Sequence, residues 1–291
     1  MTRVRSLVLG SFWLLPSAFW LLAFGLTPYA QRSSTPTYEV YAVRFAHVPY
    51  AVSSLVAGAE RGPMVDIAFT VWPIKDPATG RVILVDAGFY RDKFIAQWRP
   101  QDYVRPSDAL ASGLGIRPED VTDVVITHTH WDHADGADLF PRARIWLQKD
   151  EYDYYVGAGG EVLQRGGADA DDAKMLAALK AAGCLQLVDG DDREIAPGIR
   201  VYTGGKHTFA SQYVGVATRS GTVILASDNA YLYMNLEQRR AIAQTLDAAS
   251  NLAAQARMLR LAAKPGLVVP GHDPAMFDRF PAVKANVIRI D

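Results

Sequence analysis

Between Thr127 and Gly136 the chain reads THTHWDHADG, which gathers His128, His130, Asp132 and His133 into one short segment. The whole chain holds only 6 histidines in 291 residues, so this gathering is not an accident of composition. The preceding run VTDVVIT, from Val121 to Thr127, reads as a short buried strand. On extended backbone, residues two apart project to the same side, so His128 and His130 point together. Asp132 and His133 then turn toward a neighbouring point as the loop enters a helix. Such a loop suits two adjacent metal ions.

Three further residues stand in comparable places. His207 lies in YTGGKHTFASQ after a strand-like run, Asp228 ends TVILASD, and His272 follows the last expected strand in VVPGHD. Any one of them alone reads equally well as a surface or hydrogen-bonded side chain. Together they make five imidazoles and two carboxylates at strand ends, the donor inventory of a pair of hydrolytic zinc sites that keep positions open for water. Zinc is the default, and Mn, Fe or Co suit the same donors. Cys184 is the only cysteine, so no intrachain disulfide forms; it reads as a small buried residue and adds no thiolate. The net charge of -1 and the lack of a basic run exclude a nucleic-acid partner and leave a small molecule as the expected one. Oligomeric state is not legible.

Arg3 and Arg5 precede a stretch from Ser6 to Leu26 without charge, the layout of a signal peptide or an N-terminal membrane anchor over residues 1–30. Small-residue exits stand at Ala23-Phe24-Gly25 and Pro28-Tyr29-Ala30, and cleavage is the expectation. Either alternative exports the remaining domain, 31–291, to the periplasm or beyond, and any membrane contact would run through this segment alone. Within that domain TYEVYAVRF, DIAFTVWPI, RVILVDAG, RIWLQ, LQLVDG, GIRVYTGG, YVGVATRS and TVILASD read as strands. Helices are expected near Lys149, over Ala170 to Ala182, and as one or two from Asn235, with LVVP as the closing strand. Runs of strands with helices between and after them predict an α+β fold of two packed sheets under outer helices.

These residues resemble the metallo-β-lactamase superfamily, in its two-metal hydrolase branch, from about Thr37 to Pro274. The resemblance implies an αββα four-layer sandwich with the metals at one edge of the sheets. It implies that His128, His130 and His207 hold one metal, that Asp132, His133 and His272 hold the second, and that Asp228 bridges them. Asp86 in VILVDAG matches an aspartate that orients a ligand histidine, although a turn or capping aspartate would read the same way. Zinc β-lactamases themselves lack the bridging aspartate. Thioester hydrolases of the glyoxalase type carry a C-terminal helical region for which the 19 residues after His272 are too few.

The remaining likeness is to the N-acyl homoserine lactonases. In those enzymes a tyrosine three residues beyond the bridging aspartate contacts the substrate carbonyl, and Tyr231 stands at that spacing from Asp228. Two departures, Trp131 and the His207-Thr208-Phe209-Ala210 segment, are expected to reshape the pocket. The expected chemistry is attack by a hydroxide held between the metals, with Tyr231 stabilising the oxyanion and Asp132 carrying a proton to the leaving alkoxide. The alternatives are an esterase or phosphoesterase using the same two zincs, and a non-catalytic metal-binding protein. His47 falls outside the ligand pattern and is expected to be structural or part of a pocket wall. The Tyr152, Tyr154 and Tyr155 cluster suits helix packing as well as a pocket. Residues 157–167 lack a phosphate-loop pattern and read as a mobile loop or lid.

Overall fold

The run Val82-Ile83-Leu84-Val85 divides its side chains between two cores: Val82 and Leu84 enter one apolar cluster, Ile83 and Val85 the other. A strand that is hydrophobic on both faces belongs inside a layered fold. The computed structural model describes Thr2 and residues 36–291, and the N-terminal segment expected over 1–30 lies outside the described residues. Among the described residues no helix is long and apolar enough to cross a membrane.

The chain opens with β1 (Glu39–Ala51), β2 (Met64–Lys75) and β3 (Val82–Val85), paired antiparallel in turn. Helices α1 (Asp92–Trp98) and α2 (Pro106–Leu114) lead to β4 (Val121–Val125), the short helix α3 (Trp131–Ala134) and β5 (Arg144–Gln148). Then come α4 (Lys149–Tyr155), α5 (Ala170–Ala181) and β6 (Leu185–Val188). The second half runs β7 (Arg193–Ala196), β8 (Ile199–Thr203), β9 (Gln212–Thr218), β10 (Gly221–Ser227), α6 (Tyr233–Glu237), α7 (Ala248–Leu261) and β11 (Val268–Pro270). It closes with α8 (Met276–Arg279), β12 (Ala282–Lys284) and β13 (Val287–Arg289).

Two sheets result. One has eight strands in the order β12-β13-β1-β2-β3-β4-β5-β6, the other five in the order β11-β10-β9-β8-β7. Val40, Trp72, Ile83 and Val125 of the first sheet share a core with Val201, Val214, Val216 and Ile224 of the second. On its other face the first sheet packs Leu84, Val124 and Leu147 against Leu110 of α2, Tyr152 of α4 and Leu176 of α5. The expected two-sheet α+β sandwich, αββα, is what the chain forms.

Two local expectations are corrected and one open alternative is decided. β1 does not end at Phe45 but runs to Ala51, because a register shift between Arg44 and Ala46 lets its far half keep pairing with β2. Of the one helix or two expected from Asn235, the chain forms two. The helical stretch breaks at Arg239, whose φ of 53° is left-handed, and restarts at Asp247, whose side chain accepts from the Ser250 amide. LVVP does not close the fold either, since β13 returns to pair with β1, Val287 opposite Val43.

Candidate metal centre

Loops leaving the ends of β3, β4, β8, β10 and β11 meet at one edge of the two sheets, and all seven residues expected to hold metal lie there. The turn after β4 brings His128 Nε2 to 3.0 Å from His130 Nδ1. His207, beyond β8, sets its Nε2 2.9 Å from the same His130 nitrogen. On the other side, Asp132 Oδ2 lies 3.5 Å from His133 Nε2 and 3.7 Å from His272 Nε2. Asp228 stands between the two groups. Its Oδ2 is 3.2 Å from His207 Nε2 and 3.6 Å from His128 Nε2, while its Oδ1 is 3.0 Å from His272 Nε2 and 3.3 Å from His133 Nε2. The candidate ligand atoms fall into two sets, His128, His130, His207 and Asp228 in one and Asp132, His133 and His272 in the other.

Each imidazole turns its second nitrogen outward to a fixed partner. His130 Nε2 faces the Gly166 carbonyl at 3.0 Å, His207 Nδ1 that of Gln244 at 2.8 Å, and His272 Nδ1 that of Ala68 at 3.0 Å. His133 Nδ1 meets Asp86 at 2.8 Å, and His128 Nδ1 meets the Thr127 hydroxyl at 3.1 Å. A ring that donates outward to a carbonyl keeps its inner nitrogen as a lone pair. Inner ring nitrogens facing one another and Asp228 in a buried space suit cations held among them. The inner Nε2 of His133 and Oδ1 of Asp228 are buried without any hydrogen-bond partner, which is the signature of a ligand set and not of a hydrogen-bonded network. The residues therefore fit two divalent ions.

Electrostatics agrees. Burial, reinforced by the other imidazoles, holds His128 far below the usual histidine range, and burial brings His130 down to about 4. At His133 burial also opposes the charge, but Asp228, Asp132 and Asp86 together raise it well above that range. Neutral rings on one side and a carboxylate-rich side next to it form a graded cation site.

The backbone at this edge is shaped for close approach. Asp86 and Ser227 both carry positive φ, 56° and 48°, where their strands turn sharply into the site. Asp86 gathers the Thr127 amide and hydroxyl and the Ser227 hydroxyl besides His133, so it holds that imidazole in place as well as organising the turn. Gly271 is needed because a Cβ there would stand 2.9 Å from Asp228 Oδ1 and 2.8 Å from the Ser227 backbone. Tyr231 is buried beside the ligands, its hydroxyl 3.3 Å from His207 Nδ1, and burial next to Asp228 and Asp132 pushes that phenol well above its usual range.

The sequence profile of the metallo-beta-lactamase superfamily matches residues 71–272, a span that includes every one of these ligands. The chain belongs to the metallo-beta-lactamase superfamily. It is 30% identical over 170 residues to the human metallo-beta-lactamase domain-containing protein 1, an alignment covering 57% of this chain and 52% of that protein. It is 28% identical over 126 residues to an N-acyl homoserine lactonase of Bacillus cereus, covering 43% and 44%. The chain thus spans about half the length of the curated relatives it matches. The crystal structure of a quorum-quenching N-acyl homoserine lactone lactonase superimposes with a TM-score of 0.69 at 20% identity, over 86% of this chain and 98% of that one. The chain is thus a superfamily member similar to lactonases over part of their length, with a histidine and aspartate cluster that suits metal.

Beside the cluster opens a pocket of about 410 Å³. One wall is a run of stacked rings: Phe94 and Trp98 of α1 lie 4.7 and 5.2 Å from Trp131, and Tyr50 of β1 lies 5.8 Å from Trp98. Trp131 therefore shapes the pocket as expected. Phe209 does not line it, and stacks instead on Tyr154 at 3.9 Å. Gly166 to Asp169 line the pocket, and the carbonyls of Gly166 and Gly167 are tied to His130 and Thr129, so the end of the expected lid is anchored to the centre. His47 stands apart from the metal cluster, between Asp66 and Asp102, and Cys184, just before β6, is half-buried rather than in the core. Phe94, Trp98 and Tyr50 were missed from the sequence, because nothing in their spacing marks a shared wall.

Proposed function

We propose that the protein is a dinuclear metal-dependent lactonase that opens N-acyl homoserine lactones or closely similar lactones. The observation carrying this reading is Asp228, which turns one oxygen to each histidine group with Tyr231 three residues on, at the floor of a pocket with an aromatic wall. His128, His130 and His207 would hold one ion, Asp132, His133 and His272 the other, and Asp228 both; zinc is the expected metal. Bound there, a divalent pair supplies Lewis acidity and a water acidic enough to be a nucleophile at neutral pH.

The chain's own residues complete the reaction. The stacked rings hold an apolar acyl group while the polar lactone faces the carboxylates. Tyr231 keeps its proton and donates to the carbonyl oxygen as negative charge develops on it, a contribution worth about 3 kcal/mol when the donor is well placed. Asp132, which also borders the pocket, would take the proton released by the attacking water and pass it to the departing alkoxide. We also propose that residues 1–30 export this domain, supported by Arg3 and Arg5 ahead of the uncharged stretch from Ser6 to Leu26.

The test is acid release from a panel of acyl homoserine lactones, simple esters and phosphotriesters, using protein of verified metal content. Ring opening of the lactones at rates well above the other classes is expected. Hydrolysis of esters or phosphotriesters alone would replace the lactonase assignment with the esterase or phosphoesterase one.

A further inference from the structure

Glu151 is a fully buried carboxylate that makes no contact with any of the seven ligands, yet it holds both segments that carry the first histidine group. It stands in the first turn of α4 and does not line the pocket. Its Oε1 accepts from the Thr129 amide at 3.2 Å and lies 3.1 Å from the Thr129 hydroxyl. Thr129 is the residue between His128 and His130. Its Oε2 accepts from the Ala210 amide at 2.7 Å, three residues beyond His207. One turn later on the same helix face, the Tyr155 hydroxyl accepts from the Phe209 amide at 3.2 Å. The Thr129 hydroxyl also reaches the Gly167 carbonyl at 3.1 Å, and Gly167 must be glycine because a Cβ would fall 2.0 Å from the Tyr155 ring.

Two segments about eighty residues apart in sequence are thus pinned to a single side chain. A buried carboxylate costs several kcal/mol in desolvation unless its oxygens are fully used, so its presence calls for a role that a neutral side chain would not fill. Glutamine is the informative comparison. Its one carbonyl oxygen serves only one of the two backbone amides, and its NH2 group would face the other, donor against donor.

We propose that Glu151 is a positioning residue that sets the spacing between His130 and His207, and so tunes the first metal position and not the second. This rests on the two-metal reading of the centre. The second group has its own support in Asp86, which holds His133 at 2.8 Å and also reaches Thr127 beside His128, so the two carboxylates overlap at the first group and Asp86 serves the second.

The experiment is a titration of zinc-loaded protein with a chromophoric chelator, resolved into two release steps, for wild type, Glu151→Gln, Asp86→Asn and the double variant. Metal-free samples of each are melted in parallel. Supporting partners of metal ligands typically contribute about 10–100-fold in affinity. In Glu151→Gln one step should weaken by about that factor while the other stays put; Asp86→Asn should move the other step, and the double variant both. Unchanged steps in Glu151→Gln would overturn the proposal. So would equal weakening of both steps together with a lowered melting point of the metal-free protein, since that is general destabilisation. Wild type that binds no zinc would overturn the two-metal reading itself, and this proposal with it.

Discussion

Tyr231 makes one polar contact in the centre that a substrate could replace, and its removal is a small change. In Tyr231→Phe the ring keeps its places against His207 and His272, whose centroids lie 5.6 and 5.8 Å away. Turnover of the lactone should fall by about tenfold to a hundredfold with metal content unchanged, because one donor to a developing oxyanion is lost. Equal turnover numbers for wild type and variant would make the tyrosine structural. His130 is a different case, since its Nδ1 is the point where His128 and His207 converge. His130→Ala should lose one of two ions by elemental analysis and nearly all hydrolysis; two ions retained would contradict the ligand assignment. The ligands were legible in the sequence because imidazoles and carboxylates at strand ends have few other reasons to cluster. Glu151 and Trp98 were not, because a buried glutamate and a helix tryptophan acquire meaning only from residues distant in the chain.

At the scale of elements, the hairpin of β1 and β2 shows where sequence reading ran out. Its core half, TYEVYAVRF, alternates and was visible. Its projecting half carries Pro49 and Tyr50 and resembles a loop, yet it pairs through Tyr50 and Val65 and borders the pocket. His47 fastens this hairpin to the segment after α1, lying 2.6 Å from Asp66 and 3.2 Å from Asp102. Partial burial opposes its charge and Arg44 adds to that, but the two aspartates outweigh both and raise it above its ordinary range. A raised folded value means stabilisation that is complete below the unfolded pKa of about 6.5 and lost as pH rises through the folded one. The melting point of wild type should therefore exceed that of His47→Gln by more at about pH 5.5 than at about pH 9. A gap that is constant with pH would show that His47 acts by packing alone. The break between α6 and α7 was half legible: the helical composition is continuous, but Asp247 four residues before Asn251 is a start signal. Asp247→Ala should lower stability by about 1 kcal/mol in denaturant unfolding, the usual worth of an N-cap.

For the molecule as a whole, the two-sheet architecture followed from runs of strands with helices between and after them, and the late return of β13 did not, because VIR is too short to stand out. The candidate ligands come from loops of both sheets, so on the two-metal reading metal would bind only the assembled sandwich. Protein stripped by chelation should melt lower than the loaded form, and free metal at about a hundred times its dissociation constant should restore about 2.7 kcal/mol. Identical melting of stripped and loaded protein would mean that the centre does not couple the sheets.

His272 enters the cluster on a turn that exists only once β11 has paired, parallel, with β10, Ile224 opposite Val268. Parallel pairing across an intervening helix is slow to form, since the chain loses loop freedom before any contact rewards it. In refolding from denaturant, the far-ultraviolet signal should consequently recover before zinc uptake. The lag between the two would time the docking of β11 against β10, which gives the centre a second use as a clock for that step of folding.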